Sequence, residues 1–180
     1  DLKAAGKLVQ AWRQSDLSEV MALIAWGEWA EKTGDLTQAA RAYGSLIDYF
    51  PARADIRRWA AERLLASHTA TWLSIDSLKT AVTQRPDHPS GHYLLALAYW
   101  DAGQVKAAIE TLQAALQRQF DPRFAQITRI LEETLALLLT TLSDRQQLGQ
   151  IWSGQPFHWE KVSQPQLRFV MMWETAANDV

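Results

Sequence analysis

In 180 residues, 48% of them hydrophobic and 21% charged, there is enough apolar material for a real core, arranged as one domain or as an array of small units with an appendage. A formal net charge of −2 supplies no basic field for a polyphosphate, which argues against nucleic acid as a partner. Cysteine is absent, removing disulfides, thiolate nucleophiles and cysteine-bound zinc together, and no apolar run reaches the roughly 18 to 20 residues of a membrane span.

The chain opens at Asp1 with no charged-then-apolar leader, and it is expected to be a processed form or a piece of something longer. Residues 2–14 carry Leu2, Ala5, Leu8, Val9 and Trp12 three and four apart, the spacing of one helix face. Asp16 or Ser18 is the expected cap of a second helix over residues 19–32, which Gly34 ends. Within it and its successor stand Leu23, Trp26, Gly27 and Ala30, then Ala39, Tyr43 and Pro51. Gly27 and Ala39 suit two helices that approach closely, with Trp26 and Tyr43 filling the space around them.

The same order returns downstream. Arg57, Ala60, Ala61 and Leu64, then Ser74, Leu78 and Ala81, lead to Pro86, with a glycine-free turn at 68–71 and one extra residue that predicts an irregular loop. The cleanest copy holds Leu95, Ala96, Tyr99, Gly103, Ala108, Leu112 and Ala115, with Pro89 in its first helical turn and Gly103 suited to a left-handed stop.

This alternation of large and small residues resembles the tetratricopeptide (TPR) repeat, a helical hairpin of about 34 residues. The resemblance implies an all-α array, a right-handed superhelix, with hairpins at about 20–53, 54–88 and 89–122. Run backward, its register puts Ala5 and Val9 on the small and large positions of a second repeat helix, so Asp1 is expected to fall inside a preceding hairpin. Leu23 and Ala30 depart from the aromatic residues usual at their positions.

Residues 123–142 read as a helix with Phe124, Ile127, Ile130, Leu131, Leu135, Leu138 and Leu142 on one face, a cap that covers the last repeat and shows solvent a polar side. A short turn at 146–152 is expected to close the helical domain, 1–152. A linker follows at 153–166, which Trp152 and Trp159 are expected to pin to the helices, and then an extended stretch at 167–173. One strand cannot stand alone, so it packs on the helices, pairs with another copy, or begins a β-domain. Leu167 to Thr175, with Asn178, Asp179 and Val180, resembles the opening strand and acidic turn of YfaP-like bacterial β-domains. That likeness implies a position just before such a domain in a cell-envelope protein.

The TPR resemblance also implies a function: first helices line a concave groove that takes a peptide or partner protein. Carried onto this register, the groove residues are Ile24, Glu28 and Glu31, then Arg58, Glu62 and Leu65, then Tyr93, Leu97 and Trp100. Of these Glu28, Arg58, Glu62, Tyr93, Leu97 and Trp100 are the expected partner-binding set, with the two aromatics as anchors; Trp100 is equally explained by packing between hairpins. The Lys and Asn pair that grips a terminal carboxylate in some such grooves is missing, since Ile24, Glu28, Tyr93 and Leu97 hold its positions. Arg53, Arg57, Arg58 and Arg63 suit either a phosphate or, more ordinarily, a solvated face with local ion pairs. Glu28, Glu31 and Glu62 lack any sign of a deep pocket, so no catalytic residue is expected. His88 and His92, with Pro89 and Gly91 between them, show no third ligand, so neither a metal nor another cofactor is expected. Trp12, Trp26, Trp29, Trp59 and Trp72 read as core.

Overall fold

The computed structural model describes residues 1–141. Eight α-helices stand in that span, and no strand: α1 Leu2–Ser15, α2 Val20–Thr33, α3 Leu36–Tyr49, α4 Ala54–Ala66, α5 Thr71–Gln84, α6 Pro89–Asp101, α7 Val105–Leu116 and α8 Ile127–Thr141. Each helix packs on the next in order, and α4 also reaches α6. The turn expected at 146–152, the linker with its two tryptophans, and the extended stretch with its self-association and β-domain readings lie outside the described residues.

One device turns the chain between the helices of each hairpin. Gly34 (φ 80°) donates to Glu31 O at 3.0 Å while Asp35 N donates to Ala30 O at 2.9 Å. Gly103 (φ 71°) repeats this, with Gly103 N to Trp100 O at 2.9 Å and Gln104 N to Tyr99 O at 2.8 Å. These are the crossed bonds that satisfy the last carbonyls of a helix. The middle hairpin was expected to depart from the pattern and does so only in part. His68 takes the left-handed place (φ 50°), and His68 N and Thr69 N make the same two bonds to Leu65 O and Leu64 O. The extra residue is Ala70, also left-handed (φ 48°), inserted between that turn and α5.

The core divides into two clusters along the array. Leu23, Trp26, Ala39, Tyr43, Leu46 and Leu64 centre the first; Leu95, Ala108, Leu112, Leu131 and Leu135 centre the second. Gly27 lies under the ring of Tyr43, which Trp59 meets edge-on at 5.4 Å. Gly6 lies under the indole of Trp29, whose Nε1 donates to Leu2 O at 2.9 Å.

Four expectations change. The cap of α2 is Glu19, whose carboxylate accepts from Ala22 N, while Asp16 instead accepts from Ser18 in the preceding turn. Helix α1 buries Gly6 and Val9 and leaves Leu2, Leu8 and Trp12 exposed, because Trp29 needs the cleft over Gly6 and rotates the covered face. Trp72 is 73% exposed, since α5 turns Ser74, Ser77, Leu78 and Ala81 inward. Helix α8 starts at Ile127, after a turn in which Arg123 N donates to the Asp121 carboxylate and Phe124 sits edge-on to His88 at 4.9 Å.

Candidate functional site

Helices α2, α4 and α6 present the nine residues that the register assigns to the groove. On α2, Ile24 and Glu31 are half-buried and Glu28 is exposed. On α4, Glu62 is exposed and Leu65 half-buried, but Arg58 is only 3% exposed. Its stem lies along α6, where a side chain at Gly91 would meet Arg58 Cδ at 3.7 Å. On α6, Tyr93 is buried while Leu97 and Trp100 are half-buried. Tyr93, Leu97, Trp100 and Leu65 share one apolar cluster, whereas Ile24 packs on the other, so the set divides between the two halves of the array.

The tie between α2 and α4 was not legible in sequence. Arg63 pairs with Glu31 across the two helices, next to the buried hydroxyl of Tyr43. Burial pushes the Tyr43 phenol up to about 12, with Arg63 opposing it. Burial also works against the charge of Arg63, but Tyr43 and Glu31 outweigh it and the guanidinium is held above its ordinary value. Glu31 and Arg63 are too far apart in the chain for any helical spacing to link them; only equivalent positions on successive first helices could have signalled the pair.

The four arginines of the middle hairpin do not gather. Arg53 pairs with Asp55 at 2.6 Å, Arg57 Nε donates to Pro51 O at 2.9 Å, Arg58 lies against α6 and Arg63 holds Glu31. The two histidines likewise have structural work. His88 Nδ1 shares a hydrogen bond with Ser90 Oγ at 2.8 Å, and His92 Nε2 donates to Pro86 O at 3.0 Å with its ring edge-on to Phe120. Among the described residues no three His, Cys, Asp or Glu side chains gather as a metal site, and no helix is long and apolar enough to cross a membrane.

On the opposite side, α1, α3 and α5 border an open cleft of about 720 Å³ over Leu36, Ala40 and Gly44. Its wall carries Trp72 and the guanidinium of Arg13, stacked 3.6 Å above the Trp26 ring. Sequence reasoning passed over it, because Arg13 is just outside the periodic face assigned to α1.

Helical hairpins closed by one repeated turn, each stacked on the next through a small-on-large contact, define a TPR-like helical repeat array. Tetratricopeptide repeat models match residues 21–52 and 74–130, so the chain carries TPR repeats at its first hairpin and across its third. A solved structure of MamA, the RS-1 ArsTM double mutant, is similar over 83% of this chain and 80% of that one, at 19% identity and a TM-score of 0.58, a likeness of fold. No curated protein matches.

Proposed function

We propose that this chain is a non-catalytic scaffold that holds a peptide or partner protein on the concave face formed by α2, α4 and α6. The observation that carries this reading is the mixed character of that face: Glu28 and Glu62 are exposed beside half-buried Ile24, Leu65, Leu97 and Trp100. Polar groups at the rim of an apolar, aromatic strip are what a protein interface uses, the strip for affinity and the rim for selection. TPR repeats in general support a protein partner. Neither a cofactor nor a nucleic acid has a part in this reading.

Capture from an extract of the source organism tests it, using the full chain beside a variant with Glu28, Glu62, Leu97 and Trp100 changed to alanine and shown to be equally helical. A protein lost only from the variant supports the groove. Identical captures overturn it.

One observation favours a second reading. Arg58 and Tyr93, both assigned to the groove, are buried, as in a spacer that fills its own concave face and serves to orient a domain after it. The β-domain resemblance at 167–180 supplies such a domain. On that reading the alanine variant captures the same proteins as the parent.

A further inference from the structure

Helix α6 is buried around its whole circumference, from Pro89 to Ala96 and again at Ala98. Its neighbours explain two sides. A side chain at Gly91 would face Val82 of α5 and Arg58 of α4, and His92 turns toward Phe120 beyond the end of α7. Ser90, Tyr93, Leu97 and Trp100, three and four apart, lie on the third side, toward the groove. Helix α8 packs chiefly on α7 and leaves that side aside.

The matching stripes on α2 and α4 start differently. Met21, which occupies on α2 the place of Ser90 on α6, is 55% exposed, whereas Ser90 is 5% exposed and Tyr93 8%. The groove is open at its α2 end and covered at its α6 end.

We propose that the cover is this chain's own residues 142–180, docked on the Ser90, Tyr93, Leu97 and Trp100 face of α6. This rests on the groove reading above, which it deepens. The chain leaves α8 at Thr141 and continues for about 40 residues, each spanning up to about 3.3 Å, whereas α6 is roughly 20 Å long. Reach is therefore no obstacle. The segment carries Trp152, Phe157, Trp159, Phe169 and Trp173, the residue types that anchor in such a strip. Being tethered, it meets the groove at an effective concentration that a free ligand matches only near the millimolar range. An outside partner then competes with the segment at α6 and finds α2 open.

The absence of native cysteine allows a direct test on the full chain. Ser90→Cys reports on the covered face, and Ser74→Cys, fully buried on α5, reports on the integrity of the helices. Maleimide labelling of each is timed in the parent background and in one where the five aromatic residues of 142–180 are serine. The expected result is at least a tenfold faster reaction at Ser90→Cys in the serine background, with Ser74→Cys unchanged. Acceleration at neither position, or at both, overturns the proposal. Capture by the groove variant is scored separately: a covered α6 with no captured partner leaves a self-occupied spacer, and an uncovered α6 with a captured partner leaves an open groove.

Discussion

A side chain at Gly27 would stand 2.6 Å from Cζ and 2.9 Å from Cδ1 of Tyr43, a ring with no exposed surface. Since Trp59 holds that ring edge-on from α4, it has no room to give. Gly27→Ala is expected to lower stability by about 1 to 3 kcal/mol through overpacking. Gly44 on α3 is the contrast. A Cβ there meets only Leu73 Cδ2, at an ordinary 3.7 Å, so Gly44→Ala should add up to about 1 kcal/mol by restricting the unfolded chain. Chemical denaturation of the two variants checks both signs.

His68 does the work of a glycine. It adopts φ 50° where Gly34 and Gly103 close the flanking hairpins with the same pair of backbone bonds. Its ring reaches Asp101 of α6 at 3.0 Å, but the side chain is largely exposed and that pair contributes little. His68→Gly is expected to stabilise the array by about 1 kcal/mol, seen as a higher denaturation midpoint. An unchanged or lower midpoint would mean that the His68–Asp101 tie matters more than the backbone strain.

Ala108 and Gln104 probe the third hairpin from inside and outside. Ala108 is fully buried at the α6 to α7 approach, and Gln104 is the exposed N-cap of α7 with no side-chain bond. Ala108→Leu should cost about 1 to 3 kcal/mol, whereas Gln104→Leu should be nearly silent. Gln104→Asp should add about 0.5 to 2 kcal/mol. Its backbone (φ −86°, ψ 60°) is close to that of Asp35 (φ −85°, ψ 75°), whose carboxylate already caps α3. Thermal melts of the three variants give the order directly.

His92 makes stability depend on pH in a stated direction. Burial lowers its pKa below the ordinary 6.5; donation to Pro86 O opposes that and nearby Arg118 adds to it. The unfolded chain therefore takes up a proton near pH 6.5 that the folded chain still refuses. His92 should favour the fold fully above that pH, and its contribution should decline as pH falls from 6.5 toward the lower folded value. The slope is at most about 1.4 kcal/mol per pH unit. Denaturation between pH 7.5 and 5 measures it, and His92→Gln, which keeps an amide donor for Pro86 O, should remove this component.

The hairpins were legible because their determinants are local. Gly27, Ala39 and Tyr43, then Ala96, Ala108 and Leu112, recur at a spacing that fixes which helix lies against which, and each contact closes within one repeat. The glycine turns at Gly34 and Gly103 were legible for the same reason. The middle turn was only partly so, since a histidine in the left-handed region carries no compositional mark.

By itself, then, the sequence determined an all-α TPR-like array, its repeat boundaries and the residues that face inward between the two helices of a hairpin. The tertiary structure decided everything that depends on the angle at which one helix meets a more distant one. It buried Gly6 and Val9 of α1 in place of Leu2, Leu8 and Trp12, turned Trp72 to solvent, joined Glu31 to Arg63 and sank Arg58 and Tyr93 within the assigned groove. Periodicity states that a helix has an apolar face; it does not state how much of that face its neighbours cover. Coverage is a property of the assembled stack, so the division of the groove into an exposed α2 end and a buried α6 end emerges only when the hairpins are in place.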